Sequence, residues 1–303
     1  MGPGTSGLAS AREVIRFAEL ADEFGFAHFW VNDHLSWPQP LLDPMVFLAH
    51  IAAVTKRIHL GTGVYLLPLR SPVAAARQIV SIDYLSGGRA IFGVGVGGEF
   101  NEDFAASGLA KSERGRRTDQ SIRLIRRLFS EENVSWHDDF FNFDGVSVLP
   151  HPTRGTIPII AGGRSSAALR RAALLCDGWM PYFMSPSRVQ NGVEELARLA
   201  NENDLRNDNL RVIAHVFVSF ADTPELAREF AITYLSRQYG ADMTRTVDAS
   251  VATGPPELCA EFLRSYALAG ATDIVIRPLA QGDSQVSVLK NNGPRLLELL
   301  SNS

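Results

Sequence analysis

Cysteine is scarce in this 303-residue chain, with Cys176 and Cys259 the only two. They stand in separate apolar helical patterns, which argues against a secreted disulfide framework and against a cysteine-rich metal site. Lysine is scarce as well: Lys56, Lys111 and Lys290 stand against 26 arginines. The formal charge is only −4, so the chain carries no global field to attract nucleic acid. No apolar run reaches the roughly 18 residues of a transmembrane helix, and no membrane partner is expected. The opening MGPGTSGLASARE has neither the basic nor the apolar stretch of a signal peptide. No second His lies at ligand spacing from His137-Asp138-Asp139, so no metal is expected there. Neither a phosphate-binding P-loop nor a G-x-S-x-G elbow occurs. These absences leave a cytoplasmic α/β protein acting on a small molecule.

What is present is alternation. Short β-branched and aromatic runs alternate with amphipathic stretches of about 10–18 residues, the mark of βα units on a parallel sheet. Strands are predicted at His28–Val31, Ile58–Leu67, Arg89–Val96, Ile157–Ala161, Gly178–Tyr182, Arg211–Phe220 and Asp273–Ile276. Helices fill most intervals, and a last one is predicted near Gly293–Leu300. The segment 134–150 instead alternates with period two around Asp144-Gly145, a hairpin signal. It reads as an insertion, about residues 131–155, lying over the barrel within a single domain spanning 1–303. Seven strands after a leading helix predict an α/β chain with a (β/α)8 TIM barrel whose first strand is missing. A doubly wound open sheet is the alternative. In a barrel the reactive groups sit at the C-terminal ends of the strands.

Four strand ends carry chemistry. Val31-Asn32-Asp33-His34-Leu35, then Trp37, offers an imidazole for acid–base work, a carboxylate and an indole wall. An ordinary loop with an Asx-turn at Asp33 is the plain alternative. Gly61-Thr62-Gly63-Val64-Tyr65 places two glycines in a strand, where they mark a bulge, a tight corner or a close approach to a ligand. Gly93-Val94-Gly95-Val96-Gly97-Gly98-Glu99-Phe100-Asn101 satisfies G-x-G-x-x-G. It lacks an immediate helix and a strand-end acid about 20 residues on, so a dinucleotide fingerprint fits poorly. A glycine wall beside a flat ring, with Glu99 and Asn101 as polar contacts, fits better. Gly162-Gly163-Arg164-Ser165-Ser166 opens a helix, which suits an anion, although either serine also serves as a plain N-cap. His28, His59 and His215 read as structural.

Together VNDHL, LGTGVYLLP, GVGVGGEFNEDF and IIAGGRSSAALRRAA…CDGW resemble the bacterial luciferase-like monooxygenase superfamily, and most of all its branch that uses the deazaflavin coenzyme F420. The resemblance covers nearly the whole chain. It implies an F420-dependent oxidoreductase in which Asp33 and His34 meet the coenzyme, with His34 as proton donor and Glu99 as a second catalytic candidate. It implies a cis peptide at Gly63–Val64 behind the ring, with Gly97, Gly98 and Asn101 lining it. Gly162, Gly163, Arg164, Ser165 and Ser166 would take the phosphate tail. An FMN-dependent monooxygenase and a coenzyme-binding protein without turnover are the alternatives. Gly98 stands where sugar-phosphate dehydrogenases of this branch have Glu, and their phosphate-gripping lysines lack counterparts near Tyr182–Arg188. A more apolar substrate is therefore expected, beside Trp37, Tyr65 and Phe183. A homodimer is expected by analogy. Residues 1–4 resemble the loop after strand one in relatives, which would leave a slot between strands near Val31 and Ile274. A chain extended upstream by about 10 residues is then expected to be markedly more stable.

Overall fold

The computed structural model describes residues 10–37, 40–204, 210–280 and 284–301. Its helices are α1 (Ala11–Phe24), α2 (Pro44–Val54), α3 (Pro72–Ser86), α4 (Asn101–Ser107), α5 (Arg114–Ser130), α6 (Ser166–Leu175), α7 (Pro186–Glu202), α8 (Pro224–Tyr239), α9 (Thr244–Ser250), α10 (Pro256–Leu268) and α11 (Gln285–Ser301). Local chemistry sets their starts. Ser10 and Glu13 form a reciprocal capping box on α1. Asp43, Ser71, Ser185 and Thr223 each accept a backbone N–H at the start of α2, α3, α7 and α8, and each is followed by proline.

The strands are β1 (His28–Val31), β2 (His59–Thr62), β3 (Tyr65–Leu66), β4 (Ala90–Gly95), β5 (Val134–His137), β6 (Asn142–Val146), β7 (Ile159–Gly162), β8 (Gly178–Met180), β9 (Arg211–Phe220), β10 (Val251–Gly254) and β11 (Asp273–Pro278). All but β5 and β6 join one parallel sheet, ordered β1-β2-β4-β7-β8-β9-β10, with β3 on β4 and β11 on β9. The sheet curls into the expected (β/α)8 TIM barrel. Among the described residues β1 pairs only with β2, and β11 only with β9. Their free edges flank a cavity of about 270 Å³ that touches Val31 and Ile274 and is backed by α1 and α11. An open slot therefore lies where the sequence reading expects one.

Alternation along the strands sorts the barrel interior into layers. His28, Arg211 and Asp273 occupy the N-terminal end. Trp30, Ile91, Ile160, Met180 and Ile213 pack together above them, with Val64 and Val275 against them. Gly61 makes room for the indole: a Cβ there would lie 2.3 Å from Trp30 Cε3. Two residues further along each strand come Asn32, Gly63, Gly93, Gly162, Tyr182, His215 and Arg277, and all but Gly93 border the mouth.

Several expectations need correction. The strand predicted over Ile58–Leu67 breaks at Gly63–Val64, which is the cis peptide the resemblance implies. The hairpin turns at Asp138–Phe141 rather than at Asp144-Gly145. Asp138 accepts the N–H groups of Phe140 and Phe141 there, an Asx-type turn. Gly145 lies inside β6 with φ 67°, near a register shift in the ribbon. The ribbon packs against α5. Arg116 and Arg117 of α5 face the rings of Phe140 and Phe141, and Arg127 faces that of Trp136. Helix α11 begins at Gln285, well before Gly293, and runs through Pro294. Helices α4 and α9 and strand β10 are too short to show a period in the sequence. No helix among the described residues is long and apolar enough to cross a membrane.

Candidate active site

The C-terminal ends of the strands surround a cavity of about 330 Å³. One half of its wall is glycine. Val64 leaves the strand at the cis bond and inserts between two neighbouring strands. A Cβ on Gly95 would lie 2.4 Å from Val64 Cγ2, and one on Gly162 would lie 2.6 Å from Val64 Cγ1. On Gly93 it would lie 1.9 Å from the Thr62 carbonyl oxygen. These glycines are required by the bulge, and a wall free of side chains results. Gly98 and Gly163, with φ 131° and 132°, continue that wall in backbone conformations that side chains rarely adopt.

Next to this wall stands His34. Its Nδ1 lies 2.8 Å from Asp103 Oδ2, and Asp103 Oδ1 accepts the N–H groups of Leu35 and Ser36, each at 2.8 Å. Asp103 is 1% exposed and every contact it makes fixes the His34 loop. With Asp103 ionised, Nδ1 carries a proton and Nε2 is the basic nitrogen. Among the described residues Nε2 has no partner, and His34 borders the cavity. Trp37 stacks on the imidazole at 4.3 Å and Phe100 meets it edge-on at 5.3 Å.

Asp33 alternates to the other side. Arg70 grips both its oxygens, at 2.6 and 2.8 Å, and the Leu66 N–H donates at 2.8 Å. Burial pushes the Asp33 carboxyl above the usual carboxylate range, and the Arg70 charge works against that push. Asp33 borders the cavity, but its carboxylate is already committed. It ties the His34 loop to β3.

The other half of the mouth is polar and unsatisfied. Among the described residues Asn32 Oδ1, His215 Nδ1 and Gln238 Oε1 are buried without hydrogen-bond partners, and so is Arg114 Nε toward the glycine side. All four residues border this one cavity. Enclosure, with the Arg277 charge, pushes His215 down to about 3, so it is neutral in ordinary buffers. Tyr182 donates to Glu99 Oε1 at 2.5 Å, and Arg164 lies over its ring at 4.8 Å. Burial and the Glu99 charge push the Tyr182 phenol up, while burial raises Tyr239 to about 12. Native interiors rarely leave so many polar atoms unpaired in one place.

Of the residues singled out in the sequence, His34, Glu99, Gly63, Val64, Gly97, Gly98, Gly162, Gly163, Arg164 and Trp37 border the cavity together with Asp33. Five do not. Asn101 is exposed and accepts from Lys111 Nζ at 3.0 Å. Ser165 caps α6 through the Ala168 N–H, and Ser166 is exposed beside it. Tyr65 points away from the mouth, packs on Phe92 and donates to Gln78. Phe183, with φ 48°, turns aside to stack on Phe217 at 4.9 Å. His215, read from the sequence as structural, belongs to the mouth. Asp103, Gln238, Tyr239 and Arg277 were also missed. His215 and Arg277 lie two residues beyond Ile213 and Val275 on the interior face of β9 and β11, a placement that the strand pairing reveals.

The family model described as luciferase-like monooxygenase matches residues 1–273. The F420-dependent glucose-6-phosphate dehydrogenase of Kineococcus radiotolerans is 31% identical over 171 residues, 54% of this chain and 50% of that one. The FMNH2-dependent dimethylsulfone monooxygenase of Pseudomonas putida is 32% identical over 161 residues, 52% of this chain and 44% of that one. The chain spans about half the length of these two relatives. An F420-dependent secondary alcohol dehydrogenase, solved with an F420–acetone adduct, superposes with a TM-score of 0.85 at 16% identity over 96% of each chain. At that identity the likeness concerns the fold.

Proposed function

We propose that this chain, which belongs to the luciferase-like monooxygenase family and is an oxidoreductase, moves a hydride between coenzyme F420 and a small organic substrate. The observation that carries this reading is the mouth itself. A side-chain-free wall stands beside buried polar atoms without partners, and a histidine held in one tautomer stands between them. A flat ring with an anionic tail fits these residues. The ring would lie against the Gly63–Val64 backbone and the glycine wall. Arg114 and Lys111 flank Gly98, a Cβ there lying 3.6 Å from Arg114 Nε and 3.7 Å from Lys111 Cε. With Arg164 they would meet the tail's charge.

When bound, the deazaflavin supplies or accepts the hydride; the chain contributes placement and the proton. Asp103 holds Nδ1–H of His34, so Nε2 is the atom that takes the substrate proton in oxidation and returns it in reduction. Trp37 and Phe100 fix the imidazole plane and keep water from it. Relatives of both cofactor types occur, and the proton-handling His34–Asp103 pair is the feature that favours the deazaflavin over an FMN-dependent monooxygenase.

The test is a titration of the purified protein with F420 and with FMN, followed by turnover across a substrate panel. Selective, saturable F420 binding with substrate-dependent change in its visible absorbance is expected. Selective FMN binding would defeat the reading. Binding without turnover on any substrate, indifferent to His34→Ala, would point to a coenzyme carrier.

A further inference from the structure

Among the described residues, the polar half of the mouth holds a cation without a counterion. The other enclosed arginines show how this chain settles such a charge. Arg70 grips Asp33, Arg171 pairs with Asp119, and Arg89 donates to the carbonyls of Ala52, Thr55, Ile58 and Ser86. Arg277, at the end of β11, is half-buried and lies 5.0 Å over the Phe217 ring. Among the described residues it has neither an ion pair nor a hydrogen bond. Stacking on a ring offsets little of the cost of removing a guanidinium from water, whereas a carboxylate meets it with two parallel hydrogen bonds.

Its surroundings suit an anion. His215, two residues before Phe217 and on the same face of β9, has an unpaired Nδ1. Gln238 and Tyr239, at the end of α8, bring an amide and a phenol to the same cavity. Of the acids that border this cavity, Asp33 is gripped by Arg70 and Glu99 accepts from Tyr182. The aromatic contacts Phe217–Phe183, Phe183–Tyr239, Tyr239–Trp37 and Trp37–His34 then run across the mouth from this cation to the proposed proton carrier.

We propose that Arg277 is a substrate-binding residue that holds the carboxylate of an organic acid, with Gln238 and His215 beside it and the acid's apolar body lying between Phe217 and Met180. The inference rests on the reading that the coenzyme occupies the glycine wall, which leaves this half for substrate. It refines the more apolar substrate expected from the sequence to an apolar body carrying one anionic end.

Benzoate and its neutral counterpart benzamide are the probes, titrated by calorimetry into the protein with and without F420. Benzoate is expected to bind saturably and at least tenfold more tightly than benzamide, a ratio set by one charged hydrogen-bonded contact. Arg277→Gln should remove that preference while F420 affinity stays within about twofold, and Arg277→Lys should keep part of it. Thermal unfolding of both variants checks that they fold. Equal binding of the two probes, no saturable benzoate binding, or a benzoate preference that survives Arg277→Gln would overturn the proposal. If F420 fails to bind while the Arg277-dependent preference persists, the anion site stands and the coenzyme reading falls.

Discussion

The two ends of the barrel treat the same residue types in opposite ways. At the N-terminal end Arg211 meets Asp273 at 2.9 Å and His28 at 3.0 Å, and Thr272 also donates to Asp273 at 2.7 Å. Every charge there has a partner, and the set joins β1, β9 and β11 across the slot. At the C-terminal end Asn32, Arg114, His215 and Gln238 border the mouth with polar atoms unmatched among the described residues, and Arg277 stands with them; Asn32, His215 and Arg277 also reach the slot. A closed network reports on folding, whereas an open one reports on what the chain binds.

Substitutions at the two ends should therefore separate activity from stability. The largest effect is expected at the mouth: His34→Ala should lower the single-turnover hydride-transfer rate about 100-fold, the scale of a lost acid–base group, with coenzyme affinity little changed. An unchanged rate would remove His34 from the chemistry. Asp103→Asn should reproduce part of that loss and shift the pH–rate profile, because it releases the Nδ1 tautomer.

Next comes the packing of the bulge. Gly95→Ala collides with Val64 and should destabilise by about 1–3 kcal/mol in urea unfolding. Val64→Ala in the same chain should relieve much of that cost, and simple additivity of the two would contradict the interlock. At the other end, Asp273→Asn leaves Arg211 beside His28 without its carboxylate. Its side chain is 20% exposed, so the loss should be about 1–2 kcal/mol, below that of a fully buried pair, with activity per folded molecule unchanged.

The last contrast is read in pH rather than by substitution at the mouth. Burial, opposed by Asp273, holds His28 well below the usual histidine range, and His215 is held near 3. Both stay neutral in the folded chain at pH values where the unfolded chain binds a proton. Stability is thus fully present above about pH 6.5 and declines as pH falls toward the folded values, by at most about 1.4 kcal/mol per pH unit for each histidine. Denaturant titrations from pH 7 to 4 should show that slope, and His28→Gln should flatten part of it.

Strand ends were legible in the sequence because a glycine wall, a bulge and a helix cap each have a local signature. Gly63–Val64, His34 and Gly162–Gly163 belong to that class. The polar half was not legible. His215 and Arg277 sit in apolar runs, and only the pairing of β9 with β11 places them on one interior face. Asp103 lies in a seven-residue helix too short to show a period, and its partner is 69 residues away. Tyr65 lies outside the cavity lining because one step of register decides which face of the sheet a strand residue takes, and Phe183, beyond the end of β8, is turned aside by its positive φ.

The central claim, that the mouth binds F420 and the opposite end only holds the barrel together, is tested most directly by thermal unfolding with and without saturating F420. The unmodified protein, Arg164→Glu and Asp273→Asn are compared. A hundredfold excess of ligand over its dissociation constant should stabilise by about 2.7 kcal/mol. The account predicts that shift in the unmodified protein and, from a lower starting point, in Asp273→Asn, and its near absence in Arg164→Glu. A full shift in Arg164→Glu, or none in Asp273→Asn, would contradict it.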